Sequence, residues 1–265
     1  MTRHPIAALL LMLMGLLVPA FASAAATVVS VAAEGTQFRL TLSDGRVLRS
    51  AELAGATLTV MTDGGPRRIR LEAVERDPGA RRDDVWLHTM LIERPDGSLE
   101  NICQPGPDGK RVGFPLASVM HADGRTETTA PEVFDLMCLG GARAKCVRFG
   151  YRPWIADDAA AYNACVRMVR ADYCGDGVGT TRDGMAIDLY DDKGIQKPDM
   201  LPAHAFEAGW SAEGAVCVAH VRVKENTSLE ALGRSCPRLA GKLGVACTEG
   251  AARGMGALLF NRSVP

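Results

Sequence analysis

The cysteines constrain this chain more than any other feature. There are eight in 265 residues: Cys103, Cys138, Cys146, Cys165, Cys174, Cys217, Cys236 and Cys247. No CxxC or HxxxH occurs, which removes both the close ligand pairs of structural zinc sites and the dithiol of thioredoxin-like proteins. An even set without metal spacing reads as disulfides, and no metal site is expected. Seven of the eight follow Pro131 and only Cys103 precedes it. Seven is odd, so complete pairing sends Cys103 across Pro131 and ties the two portions covalently.

Disulfides persist in oxidising compartments, and the N-terminus agrees with export. A short basic start is followed by the apolar run "PIAALLLMLMGLLVPAF" and the small-residue stretch "ASA" at Ala22–Ala24. That is the order of a secretory signal peptide over residues 1–24, cleaved between Ala24 and Ala25. No cysteine sits at that junction, so no lipid anchor is expected there. No later stretch approaches the ~18 apolar residues of a membrane span. The expected location is therefore extracytoplasmic, in the periplasm or the medium. A net charge of −1 gives no electrostatic basis for a nucleic-acid partner.

Period-2 alternation dominates the first half. "TVVSVAAEGTQFRLTLSDGRVLRS" breaks at Asp44-Gly45, and "ATLTVMTDGGPRRIRLEAV" turns at Asp63-Gly64-Gly65. A third pair turns at Asp96-Gly97. Asp-Gly supplies the positive φ of tight hairpins, so this reads as an antiparallel meander. The polar stretch 121–132 reads as a boundary or long surface loop. Around Gly140-Gly141, the eight-residue spacing of Cys138 and Cys146 suggests a stapled hairpin. One clear helix is expected at about 157–171, with Asp157 as N-cap. At 100° per residue, Ala161, Tyr162, Cys165 and Val169 face inward and Asn163, Arg167 and Arg170 outward. A continuous helix would hold Cys165 and Cys174 about 13.5 Å apart, too far for a bond between Cα atoms that must lie within ~7 Å. Either the chain turns back after Ala171 or both have other partners. The fold class is thus α+β, mainly β, disulfide-stapled.

The common catalytic motifs are missing: no GxSxG, HExxH, Walker loop or SxxK occurs. His88 and His220 sit inside apolar strands and read as core or edge residues; His121 and His204 lie in loops. Acids gather after the helix, at Asp172, Asp176, Asp183, Asp188, Asp191 and Asp192. A hydrolase could use a pair of them, with Asp172, Asp176 and Asp183 the first candidates. No cofactor is expected; calcium, which prefers several oxygens, is the one such a run could chelate. Asp176-Gly177, Asp183-Gly184 and Asp191-Asp192-Lys193-Gly194, however, are all turn chemistry. Asp172 alone is phased inward beside Cys165. A buried carboxylate needs donors, and the amides of the turn carrying Cys174 are the nearest. Two classes follow: a binding or structural module of the cell envelope or medium, and an extracytoplasmic hydrolase using carboxylates near Asp172–Asp188.

The string "ADYCGDG" at Ala171–Gly177 follows "CVRMVR" and precedes "TRDGMAIDLYDDKGIQ". With "AKCVRFGYRPW" upstream and "FEAGWSAEGAVCVAHVR" downstream, it resembles the ADYC-domain family, whose name is the motif Ala171, Asp172, Tyr173, Cys174. The resemblance covers roughly residues 85–223. It implies an exported bacterial protein with cysteines at these positions, and no particular activity or partner. The expected organisation is an N-terminal β segment over 25–82, an ADYC-like domain over 83–225 and a C-terminal extension over 226–265 packed on it.

The parity argument is testable by non-reducing peptide mapping. The fragment holding Cys103 should run linked to one from beyond Pro131, and a free Cys103 thiol would refute it.

Overall fold

The computed structural model describes residues 26–265 apart from Pro107. The expected signal peptide and its Ala24–Ala25 junction lie outside the described residues. Three strands, β1 (Val28–Glu34), β2 (Gln37–Leu42) and β3 (Val47–Arg49), form one antiparallel sheet. The Asp44-Gly45 turn joins β2 to β3, as the alternation predicts, but Gly35 makes an additional hairpin inside the run read as one strand. A larger sheet follows, of β4 (Thr57–Thr62), β5 (Gly65–Arg76), β6 (Trp86–Glu93), β7 (Leu99–Asn101) and β8 (Gly113–Leu116). Its turns fall at the Asp63 and Asp96 sites. Phe38, Leu40, Ile69, Leu71 and Met90 alternate inward from the two sheets and share a core with Cys103.

The stretch 121–132 is not a free linker. β9 (Ser118–Met120) and β10 (Thr126–Thr128) pair around the Asp123-Gly124 turn. Asn163 then bonds both the Thr126 amide (2.8 Å) and its carbonyl (3.0 Å), docking the hairpin on the helix. The expected Cys138–Cys146 hairpin is also replaced. β11 (Asp135–Cys138) joins the large sheet beside β8, and α1 (Ala142–Arg148) follows directly. The Ala, Lys and Arg of "ARAKCVR" are good helix formers, and Gly140-Gly141 ends the strand rather than turning a hairpin.

The expected helix is α2 (Ala156–Arg170). Its N-cap is Ile155 without a side-chain bond, not Asp157; Asp157 and Asp158 occupy the first turn, where the helix dipole favours acids. Tyr162, Cys165 and Met168 join Leu87, Phe114 and Leu116 of the large sheet and Ala208, Trp210 and Val218 from the C-terminal part in one core. That part is a second sheet of β12 (Asp188–Asp191), β13 (Ala205–Ser211), β14 (Gly214–Val218) and β15 (Leu259–Ser263). Its order is β12-β15-β13-β14, so the last strand lies inside the sheet. Two short helices, α3 (Leu229–Ser235) and α4 (Glu249–Gly254), connect β14 to β15.

The bonds are Cys103–Cys138, Cys146–Cys165, Cys174–Cys236 and Cys217–Cys247, with Cα separations of 5.3–5.8 Å. Cys103 does cross Pro131, and Cys165 and Cys174 do have separate partners. Among the described residues no helix is long and apolar enough to cross a membrane.

His88 on β6 is fully buried. Its Nδ1 lies 3.2 Å from the Gly113 carbonyl, which only accepts, so Nδ1 carries the proton. Nε2 then accepts from the Ser50 hydroxyl at 2.7 Å, while Ser50 Oγ accepts the Phe38 amide. Burial pushes the imidazole down to about 4, against the opposing pull of the Gly113 bond. Between about pH 6.5 and 4 the unfolded chain therefore takes up a proton that the folded chain refuses. This contribution to stability is full above the unfolded value and is lost as pH falls through that window. It amounts to about 3 kcal/mol at most. Denaturant melts from pH 7 to 4 should show that acid loss, flattened in His88→Gln even though the variant is less stable at pH 7. Equal acid slopes in both proteins would refute the assignment.

Candidate functional site

The motif begins where α2 stops. Ala171 takes the left-handed conformation (φ 51°, ψ 44°), which costs a residue with a side chain about 1–2 kcal/mol. Asp172 follows, wholly buried. Its Oδ1 accepts the amides of Gly175 (2.9 Å) and Asp176 (3.2 Å). Its Oδ2 accepts the amide of Gly177 (3.0 Å) and the Arg167 guanidinium (2.6 Å). A carboxylate has about four lone-pair sites, so all are taken. The expected bonds to the turn amides are present, but the charge partner overturns the helical phasing. Arg167 is buried, not solvent-facing, because two turns cover that side of α2. Its guanidinium also donates to the carbonyls of Asp123 and Ala212. Three turns thus meet on one ion pair.

Gly175 and Gly177 fit this crossing and nothing larger does. Both have positive φ (73° and 87°). A Cβ on Gly175 would lie 1.7 Å from the Glu213 carbonyl oxygen, and one on Gly177 2.5 Å from that of Ala122. Cys174 closes the turn through its bond to Cys236 at the end of α3.

Tyr173 faces the opposite way, into the second sheet. Its ring stacks on Trp210 with centroids 5.3 Å apart. Its hydroxyl donates to Glu207 (2.9 Å) and accepts the Arg222 amide (2.9 Å). Glu207 and Arg222 form a bidentate buried pair at 2.9 and 3.0 Å, and Asn261 of β15 donates to Glu207 at 2.7 Å. Burial works to raise the Glu207 carboxyl, yet Arg222 with Ser263 and Asn261 holds it below its ordinary value. Burial and the Glu207 charge push the Tyr173 phenol far up, so it stays a donor. Arg222 also donates to the Met168 and Val169 carbonyls, capping the open end of α2. The sequence carries a faint sign of this network: Glu207 and Arg222 are charged residues inside apolar strand-like runs.

The remaining acids are spread out. Asp176 is exposed and accepts the Val178 amide. Asp183 is exposed. Asp188 accepts the amides of Asp199 and Met200. Asp191 accepts Tyr151 Oη (2.7 Å) and the amides of Ile195 and Gln196, and Asp192 pairs with Arg253. Among the described residues no group of three or more His, Cys, Asp or Glu is placed to hold a metal. His220 is half-buried beside Ser263, His121 pairs with Glu127, and His204 bonds the Pro202 carbonyl.

Beside the end of α2 lies a cavity of about 440 Å³. Its walls come from α1 (Ala142, Lys145), the end of α2 (Val169, Arg170) and the segment 181–187. Asp183 is the one carboxylate among its lining residues. Asn226 donates to the carbonyls of Thr180 and Thr181, and their amides donate to the Arg170 carbonyl, so the wall is pinned to the helix end.

Fold and site together define a disulfide-stabilised α+β domain, mainly antiparallel β, organised around a helix end whose buried aspartate gathers three turns. A family model described as "ADYC domain" matches residues 50–224, well over half of the chain, and the chain belongs to that family. No match was found among curated proteins or among solved structures.

Removing one partner of a buried pair costs about 3–5 kcal/mol. Asp172→Asn should therefore lower the yield of oxidised protein and its stability by that order in denaturant melts, and Gly175→Ala should fail to fold. Arg167→Met in the Asp172→Asn background should recover part of the loss, since no lone charge is left buried. Native melting of Asp172→Asn would show that the carboxylate is dispensable.

Proposed function

We propose that the chain is exported and serves as a disulfide-stabilised binding module of the cell envelope or medium, with the cavity beside α2 as its ligand site. The observation that carries this reading is that cavity. Its volume falls within the about 300–1,000 Å³ typical of small-molecule sites, and Val169 and Arg170, which line it, immediately precede the motif. Export is supported by the signal-peptide pattern and by four disulfides, which suit an oxidising compartment.

The hydrolase reading has less behind it. Glycosidase-type chemistry needs two facing carboxylates, and the cavity offers Asp183 alone. Asp172 has no free lone pair for a substrate proton. Ser50 and His88 lie at hydrogen-bond distance, but both are sealed in the core, and His88 Nδ1 faces a carbonyl instead of a carboxylate.

The test has two arms. Expressed with its leader in a bacterial host, the chain should leave the cytoplasm with Ala25 as its N-terminus and no free thiol. Cytoplasmic retention with reduced cysteines would refute export. The purified protein should show no turnover of chromogenic glycosides, esters or phosphate esters beyond that of Asp176→Asn/Asp183→Asn. Turnover lost in that variant would establish the hydrolase instead.

A further inference from the structure

The cavity beside α2 carries charge that the fold does not consume. Four of its lining residues are cationic, Lys145, Arg170, Arg182 and Arg222, against the single carboxylate of Asp183. Arg222 is committed to Glu207 and the helix carbonyls. The other three are not. Among the described residues, Lys145 and Arg182 have no carboxylate within salt-bridge distance. Arg182 Nε has only the Met185 sulfur, 3.4 Å away. Arg170 donates through Nη2 to the Gly177 carbonyl, but its Nε is buried with no hydrogen-bond partner.

Apart from Thr181 and two glycines the rest of the lining is apolar, with Phe149, Val169 and Ile187 half-buried around the space. Such walls reward a ligand that withdraws apolar surface from water, while the cations reward an acid headgroup and repel an amine. The volume suits a small molecule. We propose that the cavity binds a small organic anion: a carboxylate or phosphate monoester headgroup on a short apolar body. The headgroup is met by Lys145 and Arg182, and the body lies against Phe149, Val169 and Ile187. This inference rests on the binding-module reading above and assigns that module its ligand class.

Titration calorimetry on the full oxidised mature protein at low salt, with octanoate, octyl phosphate, octylamine and octanol, tests it. One or both anions should bind one to one, and their ranking separates carboxylate from phosphate recognition. Lys145→Ala and Arg182→Ala should each weaken the anion about tenfold, the loss of one charge-assisted contact. Lys145→Glu/Arg182→Glu should abolish binding, as should Ala142→Trp, which fills the space. None of these positions belongs to the Asp172 cage, and unchanged melting of each variant establishes that it is folded. Octanol or octylamine binding as tightly as octanoate, and blocked by Ala142→Trp, would overturn the anion class while leaving the binding module in place. Anion affinity indifferent to the charge reversal would likewise overturn it. Binding by none of the four up to about 1 mM would overturn both this proposal and the cavity as the module's site.

Discussion

A buried carboxylate with four donors is the interaction on which this structure turns. Desolvating Asp172 is expensive by itself. It is tolerable because the three amides of the Gly175–Gly177 turn and the Arg167 guanidinium fill every acceptor site. Each donor brings a piece of chain with it. The amides fix the turn that follows α2. Arg167 reaches the Asp123 and Ala212 carbonyls, and with them the β9–β10 and β13–β14 hairpins. Hydrophobic burial alone is indifferent to which turn lies over which helix end. This cage makes the choice specific, because every alternative arrangement leaves a buried charge or amide unpaired.

The disulfides act on the same problem from the unfolded side. Cys103–Cys138 joins the strand segments on either side of the β9–β10 hairpin, Cys146–Cys165 fastens α1 to α2, and Cys174–Cys236 ties the motif turn to α3. The last closes 62 residues, a loop whose closure entropy is worth about 4 kcal/mol in the chain-entropy model. In the folded chain the Cys174–Cys236 bond fastens the turn that the Asp172 carboxylate holds.

How much of this the sequence disclosed depended on whether the cause was local. Hairpin turns at Asp44, Asp63 and Asp96 were legible because Asp-Gly is itself the physical reason for the turn. So was the inward aspartate, because helical phase and the need for donors are both short-range facts. Arg167 departs from its helical phase for the converse reason. Phasing assigns a face to a residue but cannot know that hairpins from residues 123 and 212 cover that face. Helix α1 was hidden by Gly140-Gly141, which looked like a hairpin turn but closes a strand. The Glu207–Arg222 pair joins residues on two separate chain segments, and no period or spacing relates them. The cavity was wholly illegible, since α1, the end of α2 and segment 181–187 meet only in three dimensions.

That meeting explains how a buried motif can bear on a surface site. The wall formed by residues 181–187 is held to the end of α2 through the Arg170 carbonyl, Asn226 and Arg222. Arg222 in turn takes its register from Tyr173 through the hydroxyl–amide bond and the shared Glu207. Asp172 sets the turn on one side of the helix end and Tyr173 sets the wall on the other. Damage to either would reach the cavity without either residue touching a ligand. Lys145 stands apart from this chain of contacts, entering the cavity from α1, and the Cys146–Cys165 bond fixes its distance from α2. Charge on that wall therefore reports on recognition, whereas the motif residues report on whether there is a site to recognise anything.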